Sequence, residues 1–229
     1  MRLVTLLSAG LDSVVATTSA SRKHEIVLSL TFDYGQHAGR QEIGAAQQIA
    51  NVLDIEHTVV ALPWLGQITR SALVADEEQI PPADPASLDD PTAASAAAQA
   101  VWVPNRNGIF LNIAAGYCEA LDCAGIVCGF NAEEAVSFPD NSLEFIQAAQ
   151  ACFAYSTRTG LRVISPTAEL TKSQIVKLGY EIGAPLSLIW SCYRGAQTHC
   201  WRCSSCLRLR RALQQAGYWE RWQRERAAI

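Results

Sequence analysis

The sequence predicts an α/β fold: a doubly wound, mostly parallel sheet with helices on both faces and a cysteine-bearing C-terminal segment. Three observations predict it. Strand-like and helix-like stretches alternate from the first residues onward. The strand-like runs are short and apolar, as strands covered on both faces are. Residues 8–13, Ser-Ala-Gly-Leu-Asp-Ser, sit where the first such run gives way to a helical pattern.

Taken in order, residues 3–7 form an apolar strand and 12–22 a helix. Residues 26–32 are rich in β-formers and end in Asp-Tyr-Gly. A helix over 42–53 and a strand over 57–62 follow. Residues 76–100, crowded with Pro, Ala, Ser and Asp, predict a long, partly mobile surface loop or lid. Alternation resumes with a helix at 109–120, a strand at 125–130, a helix at 143–155 and a short strand at 162–165. Thr171-Lys172-Ser173-Gln174 reads as a capping box opening a helix that stops at Gly179. Residues 218–229 read as an amphipathic helix that packs through Tyr218, Trp219 and Trp222. No internal repeat is visible. The expected division is a main domain over 1–185 and a C-terminal segment over 186–229.

With 229 residues, 49% of them apolar and 17% charged, the chain has the balance of a globular protein. The formal charge is −4. Seven Arg and two Glu from Arg202 onward give +5 there, which leaves −9 upstream. An acidic body with three Lys argues against a nucleic-acid partner. There is no long apolar run to cross a membrane, and no signal-peptide pattern, so a cytoplasmic location is expected. Cys118, Cys123, Cys128 and Cys152 fall in apolar segments and read as small buried thiols.

Cys192, Cys200, Cys203 and Cys206 are different: C-x7-C-x2-C-x2-C gathers four thiolates within a short stretch. Four sulfur ligands close a tetrahedral shell, so the expectation is a structural zinc ion; an iron–sulfur cluster also takes four thiolates. His199 reads as an exposed loop residue, and Arg202, Arg208, Arg210 and Arg211 as a solvated face.

At a strand–helix junction, free N–H groups and the positive helix end hold anions, and small residues let a phosphate approach the backbone. Residues 8–13 lack the Lys of a G-x-x-x-x-G-K-[ST] loop. The run instead resembles the Ser-Gly-Gly-x-Asp-Ser pyrophosphate loop of ATP pyrophosphatases, with Ala9 in place of the first Gly. A Cβ is tolerated there if φ stays negative and is strained otherwise. Further strings bear on the resemblance: Phe32-Asp33-Tyr34-Gly35-Gln36, Val103-Pro104-Asn105-Arg106-Asn107, Gly129-Phe130-Asn131-Ala132, Phe138-Pro139-Asp140 with Glu144-Phe145, and Trp190-Ser191-Cys192-Tyr193. Together with the Cys spacing these resemble the 7-cyano-7-deazaguanine synthase (QueC) family, over about residues 3–210.

The resemblance implies an adenine nucleotide alpha hydrolase-like (Rossmann-like) fold of the ATP pyrophosphatase, or PP-loop, superfamily. It also implies an AMP-forming ligase. Such an enzyme adenylates 7-carboxy-7-deazaguanine with ATP, releases pyrophosphate, lets ammonia displace AMP, and uses a second ATP to dehydrate the amide to the nitrile. By position, Ser8, Ala9, Gly10, Leu11, Asp12 and Ser13 would hold ATP, with Asp33 and Gln36 facing the nucleotide. Asp12 is the candidate Mg²⁺ partner. Lys172 would neutralise phosphate charge, and Arg106 would contact nucleotide or carboxylate. Asn107, Asn131, Asp140 and Glu144 would contact the deazaguanine, whose N–H groups suit carboxylate acceptors. Members of this family often form dimers; the Trp-bearing C-terminal helix serves as an interface or folds back on its own domain.

Between Asn131 and Glu144 the family usually carries Asp-Tyr-Ser-Gly-Tyr-Pro-Asp-Cys-Arg-Pro-Glu, whereas this chain runs from Glu134 through Ala135, Val136 and Phe138 to Glu144. The Tyr, Cys and Arg are absent. After Gln36, His37 stands without the usual Arg. These departures leave three readings: a nitrile synthase; a relative that conjugates the activated base to a protein amine, as in antiviral defence systems; or a zinc-stabilised RNA-binding or tRNA-modifying protein on the same fold.

Overall fold

The computed structural model describes residues 1–88 and 90–229. Five strands, β1 (Arg2–Leu6), β2 (Glu25–Asp33), β3 (His57–Ala61), β4 (Gly125–Val127) and β5 (Arg162–Ile164), form one sheet in the order β3-β2-β1-β4-β5. Every pairing is parallel. The chain builds outward from β1 in one direction and then, from β4, in the other. The switch point therefore lies between the carboxyl ends of β1 and β4, where open α/β sheets leave a crevice for ligands.

Helices cover both faces. α1 (Leu11–Ser21), α2 (Gly39–Val52), α8 (Lys172–Glu181), α9 (Ser204–Ala216) and α10 (Trp219–Ala227) lie over one. There Leu7, Val14, Ile49, Ile175, Leu213 and Trp222 join in one core. α5 (Arg106–Ala120) and α7 (Leu143–Ser156) cover the other, burying Leu111, Cys118 and Phe153 against Val4, Leu30 and Ile126. The remaining helices are short: α3 (Pro63–Ile68), α4 (Pro91–Ala100) and α6 (Ala132–Ala135).

The predicted elements are present, with four corrections. Residues 76–100 are not wholly loop: they hold two 3-10 turns and α4. Asp90 caps that helix by accepting from the Ala93 N–H at 2.8 Å, Pro91 sits in its first turn, and alanines propagate it. Residue 89 lies outside the described residues. The segment is tied to the cysteine region, with the Ala83 N–H donating to Arg202 O at 2.8 Å and Arg194 donating to the carbonyls of Glu77 and Ile80.

The helix expected to stop at Gly179 runs on to Glu181. Gly179 is where it crosses α1: an added Cβ would lie 2.9 Å from Val15 Cγ2, so only glycine lets the two helices approach this closely. The β4 ladder ends at Val127 rather than residue 130. Cys152 is exposed, unlike Cys118, Cys123 and Cys128. Sequence reading also missed α3 and α9; the buried face of α9, with Leu207, Leu209 and Leu213, is interleaved with cysteine and arginines.

α10 folds back on its own chain. Trp222 is buried and donates from Nε1 to Leu186 O at 2.8 Å, while Arg226 donates to the carbonyls of Ser187 and Ile189. Among the described residues no helix is long and apolar enough to cross a membrane.

Candidate functional site

The loop after β1 sets one wall of a cleft at the switch point. Ala9 is fully buried with φ +61°, so the left-handed conformation falls on the one residue of the loop that has gained a Cβ. That geometry costs a non-glycine residue about 1–2 kcal/mol. It is held by Trp190, whose N–H donates to Ala9 O at 2.9 Å. Gly10, at φ −68°, caps α1, and the Ser8 and Ser13 hydroxyls lie 3.1 Å apart at its mouth. From the β4 side Gly129 presses against this turn. A Cβ there would stand 2.4 Å from the Ser13 N, so glycine alone permits the approach.

Behind the loop lies a buried ion network. Thr171 forms the expected capping box with Gln174, and this aims Lys172, the first residue of α8, into the cleft. Lys172 Nζ stands 2.6 Å from Asp12 Oδ2 and 2.7 Å from Glu134 Oε1. Its backbone N–H donates to Glu133 Oε1 at 2.8 Å. Glu134 is placed by Asn131, which is buried and caps α6 by accepting from the Glu134 N–H at 2.9 Å.

Burial pushes Asp12 up to about 6, against the attraction of Lys172 and with Glu134 and Glu133 adding repulsion. Burial disfavours a charged Lys172, but Asp12 and Glu134 outweigh it and hold the ammonium firmly protonated. Burial also opposes the Glu134 charge, and Lys172 overcomes that and draws its carboxyl below the usual range. Asp12 Oδ1 is buried with no hydrogen-bond partner. An orphaned carboxylate oxygen at the serine loop is a hard oxygen donor that suits a divalent cation such as Mg²⁺.

The opposite wall carries Arg106, which donates to the Tyr34 hydroxyl at 3.2 Å. Burial disfavours its charge, and Tyr34 with Asp140 more than compensates. Gln36 is locked in place, accepting from the Tyr34 N–H and donating to Phe32 O and to Glu42 Oε2. Burial raises Glu42. The cleft encloses about 230 Å³, from the serine loop to Tyr34 and Glu42, with Trp190, Ser191 and Tyr193 along its side.

Beside it, the four cysteine sulfurs lie within 4.8 Å of one another, and Cys200 and Cys206 are 3.9 Å apart. A tetrahedral ion at metal–sulfur distances of about 2.3 Å sets its sulfurs about 3.8 Å apart, so small side-chain shifts bring the set to zinc geometry. The backbone N–H groups of Arg194 and Cys200 donate to Cys192 Sγ, and those of Arg202 and Cys203 donate to Cys200 Sγ. Such bonds suit thiolates. Cys203 caps α9 and Cys206 follows within its first turn.

His199 is buried, not exposed. Its Nε2 accepts from the Ser191 N–H at 3.2 Å, and its ring lies between Trp190 and Trp201. Burial and the Arg226 charge hold it down at about 4. The arginine face is only half solvated: Arg208 donates to Leu88 O and Arg211 lies 3.6 Å from Glu133.

A profile of the family described as "Queuosine biosynthesis protein QueC" matches residues 2–217. The chain belongs to the QueC family. It is similar to the 7-cyano-7-deazaguanine synthase of Pelotomaculum thermopropionicum, with 50% identity covering 95% of this chain and 98% of that one. The corresponding protein of Methanosarcina mazei is 44% identical, with 95% of each chain covered. Among solved structures, a 4-thiouridine synthetase–RNA complex with bound ATP superposes with a TM-score of 0.52 at 17% identity, covering 99% of this chain and 53% of that one. That likeness shows the fold, a parallel α/β sheet covered by helices.

Of the residues singled out from the sequence, the structure brings Ser8, Gly10, Leu11, Asp12, Ser13, Gln36, Arg106, Asn107 and Lys172 to one QueC-family cleft. Ala9 lies beneath it. Asp33 turns to the Gly35 N–H at 3.1 Å. Asn131 serves as a cap, and Asp140 meets Asn107 through its carbonyl. Glu144 is exposed in the first turn of α7. Sequence reading missed Glu134, Tyr34, Glu42 and Tyr193. Glu134 had a signal, since Asn131 three residues before it makes an N-cap pattern. Tyr34 and Tyr193 sat inside strings already singled out. Glu42 carried no signal beyond its place in the first turn of α2.

Proposed function

We propose that this chain is an ATP-dependent ligase that converts 7-carboxy-7-deazaguanine to 7-cyano-7-deazaguanine. Full-length relatives at 42–50% identity carry the synthase name, which supports the nitrile as product. The observation that carries the reading is the meeting of the serine loop, Asp12 and Lys172 at the switch point of the sheet.

A carboxylate is a poor electrophile, and its oxygen must first become a leaving group. The substrate carboxylate attacks the α-phosphorus of ATP; an O–P bond forms, and pyrophosphate departs. The N–H groups at the start of α1 and the Ser8 and Ser13 hydroxyls receive its charge, and Lys172 adds an ammonium fixed in place before the reaction. Asp12 is the residue that would hold Mg²⁺, which when bound offsets the charge on the phosphates. Arg106 orients the incoming carboxylate. Ammonia then displaces AMP to give the amide. A second adenylation, at the amide oxygen, makes that oxygen depart with AMP and leaves the nitrile.

The test is incubation with ATP, Mg²⁺, 7-carboxy-7-deazaguanine and ammonium, followed by mass spectrometry. Nitrile with AMP is expected. ADP as product, or no nucleotide cleavage, overturns the reading; accumulation of adenylate or amide redirects it toward conjugation to a protein amine.

A further inference from the structure

A second cavity of about 40 Å³ lies beneath α4, roofed by Ala94, Ala97 and Ala98. Glu134, Lys172, Tyr193 and Ser205 line both this cavity and the main cleft, so only side chains separate the two. Its size limits its occupant. One water needs about 10–15 Å³ of such space, whereas ligand pockets run to about 300 Å³ and more, so a base or nucleotide is excluded. Its charges balance: Glu133 and Glu134 are matched by Lys172 and Arg208. Both cations are already engaged, Lys172 by two carboxylates and Arg208 by Leu88 O at 3.0 Å. The lining also offers acceptors, the carboxylates of Glu133 and Glu134 and the hydroxyls of Ser137, Ser204 and Ser205. Such a lining suits a small molecule rich in N–H donors.

We infer that this side cavity is where ammonia is received and passed to the reacting centre. The inference rests on the ligase reading and supplies its second substrate with a site of its own. From there the nitrogen lone pair reaches the acyl carbon from the Glu134 side. The C–N bond forms, the C–O bond to AMP breaks, and AMP leaves with that electron pair. The proton shed by nitrogen passes to the departing AMP phosphate, since Glu134, which faces both cavities, is held ionised by Lys172. Keeping ammonia apart from the mouth of the cleft also lets it arrive while nucleotide fills the main opening.

The experiment fills the cavity from its alanine roof, using Ala97→Leu and Ala94→Leu in the intact protein. Pyrophosphate exchange into ATP, dependent on 7-carboxy-7-deazaguanine, is read first because it needs no ammonia. It should be unchanged, which also reports that the variants fold. The KM for ammonium should rise about tenfold, the scale at which one added methylene is discriminated in a close pocket. Wild-type ammonium KM in both variants with exchange intact overturns the side-cavity assignment. Absence of exchange in the unaltered protein overturns the ligase reading itself.

Discussion

The cysteine cluster and the ion network of the cleft adjoin one another, yet they are assembled in opposite ways. Cys192, Cys200, Cys203 and Cys206 lie within one short stretch, and the turn into α9 gathers their sulfurs. Asp12, Glu134 and Lys172 come from α1, α6 and α8 and meet only because the sheet sets β1, β4 and β5, which precede those helices, side by side. The first is a local device that needs an ion to hold four thiolates; the second is a tertiary device that holds its own charges apart from water. Metal should therefore govern stability in the one, and the fold should govern chemistry in the other.

The largest effect is expected from Cys203→Ser. Losing one of four ligands should abolish tight zinc binding and cost several kcal/mol, since structural zinc sites contribute about 10 kcal/mol or more to small folds. Metal analysis and thermal unfolding read this together. A metal-free variant with unchanged Tm would break the comparison.

Next comes Lys172→Met, which leaves Asp12 and Glu134 facing each other without a cation. Breaking a buried pair costs roughly 3–5 kcal/mol. Loss of a preorganised donor lowers AMP formation by about 10²–10³-fold. Urea unfolding should show the stability deficit shrinking as pH falls, because protonated carboxylates no longer repel. A deficit independent of pH would mean that the lysine acts through packing.

The pH dependence of Asp12 is smaller. Its carboxyl is raised to about 6, so between about 4 and 6 the native state binds a proton that the unfolded chain gives up. Its favourable contribution to stability is complete below that window and is lost as pH rises through about 6. Relative to the unaltered protein, Asp12→Asn should therefore gain stability across this window while losing AMP formation at every pH. The acidic limb of kcat/KM in the unaltered enzyme should fall near 6.

The smallest effect belongs to Ala9→Gly, which relieves a buried left-handed alanine and should stabilise by about 0.5–1 kcal/mol after the entropy of glycine is counted. Urea denaturation reads it; destabilisation would mean that the Cβ packing outweighs the strain.

What the sequence determined by itself is whatever depends on neighbours along the chain. The apolar runs that became β1 and β2, the capping box at Thr171, the serine loop and the cysteine spacing were all legible because their physics acts over a few residues. The helix hidden in residues 76–100 was also local, and its Asp90 cap with Pro91 was the overlooked sign. Other assignments only the tertiary structure decided. Asn131 and Glu134 share one short segment, yet the first turned inward as a cap and the second reached Lys172. Asp33 was spent bracing the backbone, while Gln36 and Glu42 came to the cleft joined by a hydrogen bond. His199 was packed not only against nearby Trp201 but against Trp190 and Trp222, which its neighbours in sequence do not reveal. The reason is burial: a side chain's charge and partners depend on which distant elements exclude water from it, and that is set by the order of strands in the sheet.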